Sequence, residues 1–240
     1  DIVSVLYASF LKYDVTNPKC KSRDRFILSK GHAGAVVYAA LAECGFFDIE
    51  ELKNHYKNGS SFSGHISHKG IPGVELSTGS LGHGLGVGVG MALALKKQGS
   101  SARVIVLCSD GELNEGSIWE SVMFSAFHKL DNLLLVVDKN ELQSLTSTKQ
   151  TLDMSPIDEK FRSFNFNVLK CDGHRHKDIL ACIKHAFGGS SSDNRPSVLL
   201  AETVKGKGVS FMENQVLWHY RSPQGEEYTE AIAELQSTDR

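Results

Sequence analysis

The apolar positions fall into two rhythms. Nearly unbroken apolar runs predict buried strands at Arg103–Cys108 (RVIVLC), Leu133–Val137 (LLLVV), Asn167–Cys171 and Ser197–Ala201, with a shorter one at Arg25–Leu28. Between them the spacing turns helical. Ile118, Trp119, Val122, Met123, Ala126 and Phe127 recur every three or four residues and predict a helix over Ile118–Lys129, with one face on a core. The same reading predicts helices over Ala33–Cys44, Leu81–Lys97, His176–Phe187 and Glu226–Leu235, a short one over Asp48–Lys57, and another ending near Phe161–Phe164. Asp1–Leu11 also has a helical period and no initiator Met, so residue 1 is expected to lie inside a helix whose start is missing. Asn17–Asp24, Gly59–Gly73 and the Gly/Ser stretch Gly188–Asn194 read as loops, and Ser29–His32 as a turn.

Strands apolar on both faces and separated by helices imply a mostly parallel sheet covered on both sides. Right-handed crossovers then make a doubly wound α/β domain. One such sheet uses up the 240 residues, so residues 1–240 are expected to form a single domain. Lys plus Arg (26) nearly balances Asp plus Glu (28), which argues against a strongly basic nucleic-acid-binding surface. A hydrophobic content of 41% excludes a largely disordered chain. Runs such as LLLVV fall far short of a membrane span, which needs about 20 apolar residues. No signal-peptide pattern opens the chain. Five cysteines without a CxxC pair point to a reducing, cytoplasmic compartment.

Candidate chemistry collects where strands end. Asp110, in Ser109-Asp110-Gly111, follows one strand, and Asn140 follows the next, thirty positions on. Ligands of open α/β sheets sit beyond such ends, and two oxygen-bearing side chains there suit a hard cation such as Mg²⁺ or Ca²⁺ with phosphate oxygens completing its shell. The same residues also fit a plain Asp-Gly turn and an Asn helix cap. Glycines 82, 84, 86, 88 and 90 lack the GxGxxG order of a nucleotide fingerprint and suit close helix packing instead. Ser77–Leu81, which opens that helix, is the better ligand contact. His32, His65, His83 and His219 lie in Gly-rich or polar surroundings without zinc spacing. Lys205-Gly-Lys-Gly208 follows the last strand, as an anion contact or an exposed basic turn. No GxSxG elbow or recognisable nucleophilic cysteine supports hydrolase chemistry.

Taken in order, DIVSVLY, LSKGHAGAVVYAALAECGFF, SGHISHKGIPGVELSTGSLGHGLGVGVGMALA, SDGELNEGSIWESVMFSAFHKLDNLLLVVDKNELQ and TVKGKGVSFMENQVLWH resemble the N-terminal, diphosphate-binding half of transketolase. The match is to the shorter chain of split, two-subunit forms, from residue 1 to about 235. The resemblance implies thiamine diphosphate held through a divalent metal, with Asp110, Asn140 and the Leu142 carbonyl as ligands and Gly111 and Ser109 beside the diphosphate. It implies that Gly79, Ser80 and Leu81 flank the cofactor rings, and that His32, His65 and His219 line the substrate and diphosphate channel. Glu115 and Glu120 match family positions after the metal aspartate, Glu120 at a subunit contact. Departures are Ser109 for the family's first glycine of Gly-Asp-Gly, His83 where glutamine is usual, and a further family histidine that would precede Asp1.

The family's pyrimidine-binding domain is not part of these 240 residues. The resemblance therefore implies a partner chain carrying it, an active site shared between the two, and an α₂β₂ heterotetramer acting on a sugar or sugar phosphate. The expected reaction moves a two-carbon ketol unit from a ketose to an aldehyde. The alternatives are an acyloin-forming relative, the α chain of a 2-oxo acid dehydrogenase, and a non-catalytic interaction module. Leu28–His32 and Val74–Gly79 favour transketolase over the dehydrogenase.

Overall fold

The structure, a computed structural model, describes residues 1–188 and 194–238. One parallel sheet holds β1 Arg25–Leu28, β2 Val104–Ser109, β3 Leu133–Lys139, β4 Asn167–Asp172 and β5 Ser197–Glu202, in the spatial order β1-β2-β3-β5-β4. Around it run α1 Ile2–Val5, continued by a π-helical turn Leu6–Phe10, then α2 Gly34–Glu43, α3 His83–Lys97, α4 Gly116–Phe127, α5 Thr148–Leu152, α6 Ile157–Ser163, α7 His176–Ala186 and α8 Glu226–Thr238. The doubly wound expectation therefore holds.

Alternation along each strand divides the core in two. Ile105 and Leu107 of β2 and Leu134 and Val136 of β3 meet the π-helical turn, α2 and α7 through Leu6, Tyr38, Leu41, Ile179 and Ile183. Val104, Val106 and Cys108, with Leu133, Leu135 and Val137, meet α3, α4 and α6 through Leu85, Val89, Ile118, Val122 and Phe161. Covering both faces of the sheet makes these strands apolar throughout.

The differences from expectation are local. The helix predicted from Leu81 begins at His83, because Gly82 adopts φ 82° at its N-cap, a left-handed conformation that glycine takes without steric cost. Asp48–Lys57 is a 3₁₀ segment, Ile49–Asn54, rather than an α-helix. α5 lacks a readable period at five residues, but Ser147 caps it, accepting from the Gln150 N–H at 3.2 Å. Residues 189–193 of the predicted Gly/Ser loop lie outside the described residues.

The glycines of α3 do different things. A Cβ on Gly88 would sit 2.4 Å from Val106 Cγ2, and one on Gly84 would sit 2.5 Å from Ser29 Oγ and 2.8 Å from its Cα. A Cβ on Gly90 would meet nothing within 4 Å. The close-packing expectation is thus met at Gly84 and Gly88 and not at Gly90. Gly84→Ala is expected to cost about 1–3 kcal/mol through overpacking, whereas Gly90→Ala should gain about 0.5–1 kcal/mol from helix propensity. Urea unfolding of the two variants measures both, and a shift of the same sign in each would refute the packing account.

Candidate functional site

Because the strands are parallel, the segments after β1, β2, β3 and β5 emerge along one edge. The pairings Leu28↔Leu107, Ser109↔Asp138 and Asp138↔Ala201 set their order. A cleft of about 460 Å³ opens there, and of the residues singled out in the sequence it is lined by His32, Leu81, Ser109, Gly111, Asn140, Leu142, Lys205 and His219.

Asp110 is buried between Ser109 and Gly111. Its carboxylate accepts from the Gly111 N–H at 2.7 Å and the Glu141 N–H at 2.6 Å. Glu141, which aims that N–H, stands at φ 61°, a conformation that costs a non-glycine residue about 1–3 kcal/mol. Burial pushes the Asp110 carboxyl up to about 6, against the pull of these two N–H groups. Asn140 is not a helix cap. Its Oδ1 accepts from the Leu142 N–H at 3.0 Å, folding the chain back toward Asp110. The Ser109 hydroxyl accepts from the Glu112 N–H at 3.2 Å and so shapes the turn Gly111–Asn114.

Beside this oxygen cluster stands positive charge. The Lys30 ammonium pairs with Asp138, whose other oxygen accepts from the Thr203 hydroxyl. Burial works to raise the Asp138 carboxyl, but Lys30 and its hydrogen bonds hold it below the usual value. Lys205 is partly buried, and burial, then Lys30, lowers its ammonium. His32 sits between the other two predicted histidines, its ring centroid 5.1 Å from that of His219 and 6.4 Å from that of His65. The His65 loop is pinned there by the Ile66 N–H, which donates to the Gly31 carbonyl at 2.9 Å. Partial burial, then His219 and Lys30, pushes the His32 imidazole down to about 4.

Gly79 packs near His65, which would lie 3.3 Å from a Cβ placed on it, and Ser80 is exposed on the same loop. His83 turns back on its own loop, with Nδ1 2.9 Å from the Leu81 carbonyl. Glu115 and Glu120 do not join the cleft. Both are exposed, Glu115 just before α4 and Glu120 on it, leading into an apolar strip of Met123, Phe124 and Phe127 exposed by 49%, 44% and 81%. The sequence reading missed Lys30, Asp138 and Thr203 as site residues. Asp138 and Thr203 carried a usable signal, since each is a polar residue where an apolar strand run gives out.

Among the described residues no group of three or more His, Cys, Asp or Glu side chains is arranged to hold a metal. A cation at Asp110 would therefore draw on amide and carbonyl oxygens, a donor set that suits a hard divalent ion shared with phosphate. Two lysines favour an anionic partner beside it, and the histidines at the mouth suit hydroxyl or carbonyl oxygens. These residues fit a metal–diphosphate group. Among the described residues no helix is long and apolar enough to cross a membrane.

The sequence matches the family model for the transketolase thiamine diphosphate binding domain over residues 1–236. An apulose-4-phosphate transketolase subunit of Actinobacillus succinogenes is 40% identical over 236 residues, covering 98% of this chain and 84% of that protein. A 6-deoxy-6-sulfo-D-fructose transketolase subunit of a Clostridium species is 36% identical, covering 98% and 85%. The crystal structure of transketolase from Campylobacter jejuni superposes with a TM-score of 0.88 at 30% identity, covering 99% of this chain and 37% of that one.

The lowered His32 pKa gives a test of the site's electrostatics. The fold prefers neutral His32, so the group's contribution to stability is present above its ordinary pKa of 6.5 and is lost as pH falls toward about 4. A pH titration of the imidazole resonances by NMR should place His32 well below 6.5. A midpoint at or above that value would refute the described environment.

Proposed function

The chain belongs to the transketolase thiamine diphosphate binding domain family, and from that premise we propose that it is the cofactor-anchoring subunit of a two-chain transketolase. The reaction moves a two-carbon ketol unit from a ketose donor to an aldehyde acceptor. The observation that carries this reading is the meeting, in one cleft, of Asn140 and Leu142 with Lys30, Lys205, His32 and His219, with Asp110 held between two lining residues and the His65 ring 6.4 Å from that of His32.

Thiamine diphosphate, when bound, supplies the carbon nucleophile that takes up and hands on the two-carbon unit. Asp110, the Asn140 side-chain oxygen and the Leu142 carbonyl would hold Mg²⁺ or Ca²⁺, which would supply positive charge to the diphosphate. Gly111 leaves the backbone bare beside it, and Ser109, whose oxygen already accepts from Glu112, keeps its hydroxyl proton to donate. Lys205, with Lys30 in its pair with Asp138 beside it, would face the diphosphate charge. Gly79, Ser80 and Leu81, on the loop that opens α3, border the cofactor's entry. His32, neutral near pH 7, joins His65 and His219 in binding the donor's hydroxyl and carbonyl oxygens and exchanging their protons.

That partner carries the pyrimidine-binding domain. The support is one of extent: the chain covers 84% of a relative named as one subunit of a transketolase but 37% of a full transketolase chain. An α₂β₂ assembly follows from paired sites and closed symmetry. The apolar strip on α4 supports a contact between two copies. An antiparallel pairing of two α4 helices would set Glu115 and Glu120 of each against His128 and Lys129 of the other, with the exposed Met123, Phe124 and Phe127 between. Five free thiols favour a cytoplasmic location.

Calorimetric titration of thiamine diphosphate with Mg²⁺, into the chain alone and into the complex, tests the assignment. Binding should be much tighter in the complex. Asp110→Ala should weaken it by more than about 100-fold, since losing even an outer-shell partner of a metal ligand costs 10–100-fold. Unchanged affinity would remove Asp110 from the metal site. Phe127→Lys should weaken copy-to-copy association by roughly 30-fold or more, the scale of an aromatic hot spot, as read by sedimentation velocity. An unaltered assembly would reject the strip as that contact.

A further inference from the structure

We propose that Glu112 is a positioning residue for cofactor capture, a buried carboxylate that joins the three loops bearing the cofactor-facing groups. The inference rests on the thiamine diphosphate reading above and adds a residue that lies outside the cleft. Glu112 is fully buried. Its Oε1 accepts from the Gly82 N–H at 2.8 Å and from the Ser29 hydroxyl, and its Oε2 from the Ser109 N–H at 3.3 Å. The link to Ser109 is reciprocal, because the Ser109 hydroxyl accepts from the Glu112 N–H.

Each donor belongs to a different segment, and each segment carries an assigned group next to the donor. Ser29 precedes Lys30 and His32, Gly82 follows Leu81, and Ser109 precedes Asp110. One side chain therefore sets the spacing between the lysine, the loop that opens α3 and the metal aspartate. The Ser29 oxygen extends the link by accepting from the Gly84 N–H at 3.2 Å, and Gly84 lacks the Cβ that would overlap Ser29.

Glu112 forms no ion pair among the described residues, and the donors named here are neutral. A carboxylate buried this way holds its donors through charge-assisted bonds, which are stronger and shorter than those to a neutral acceptor. Asp138 differs, because its Lys30 partner itself faces the cleft.

The test uses the complex with its partner chain and three readouts: unfolding temperature without cofactor, the thiamine diphosphate Kd with Mg²⁺ by calorimetry, and donor KM and kcat at saturating cofactor. Glu112→Gln keeps one acceptor oxygen but turns an NH₂ toward a backbone N–H. Its Kd is expected to rise about 10-fold or more, the scale of a lost hydrogen bond to a charged group, with donor KM and kcat within about twofold of wild type. Ser29→Ala removes one donor and should raise Kd by a smaller factor, and it decides the matter if the Gln variant fails to assemble. A wild-type Kd in either folded variant would overturn the proposal, as would a parallel loss in Kd, KM, kcat and unfolding temperature, which marks a merely structural role. Failure of the wild-type complex itself to bind the cofactor would instead overturn the family-based reading beneath it.

Discussion

Parallel pairing is the constraint on which the rest of the molecule depends. Strands that all run one way must be joined by crossovers, and crossovers put helices on both faces, so the strands become apolar on both sides. The same constraint delivers the following loops to one edge. Ser109 pairs with Asp138 across β2 and β3, and Asp138 with Ala201 across β3 and β5. That register brings Asp110, Asn140 and Thr203 within one layer although they lie up to 93 positions apart. The site's polar groups stand where the apolar runs end, so the core loses little to them.

Within that layer three carboxylates are satisfied in three ways. Asp138 is neutralised by Lys30, and Glu112 is surrounded by neutral donors. Asp110 has two backbone N–H donors and is held up to about 6 by burial. Chemically identical groups thus take different roles from their surroundings. The carboxylate with the least compensation is the one a cation would relieve most.

Packing and site are linked through α3. Gly84 and Gly88 let the helix approach β1 and β2 to distances no Cβ would allow, and this approach brings Gly82 within reach of Glu112. Gly31 does the same for the neighbouring loop, with Thr78 O 2.1 Å from where its Cβ would be. The absence of side chains at these points brings the loops together, and the buried polar contacts then fix their spacing.

Much of this was legible in the sequence. Continuous apolar runs such as RVIVLC and LLLVV identify the buried strands, and the 3.6-residue period identifies α2, α3, α4 and α7, because both patterns are local consequences of what each element buries. Asp110, Asn140 and His32 stood out through turn chemistry and through the motifs around them. The strand order was not legible, since β5 lies between β3 and β4 and no local pattern records which strands pair. Nor were the roles of Lys30 and Glu112. Each is a charged residue that in sequence resembles any solvated one, and only the fold shows that Lys30 meets Asp138 across 108 positions and that Ser29 meets Glu112 across 83. Elements follow from neighbours along the chain, whereas a charge acquires its meaning from neighbours in space, and tertiary packing alone supplies those.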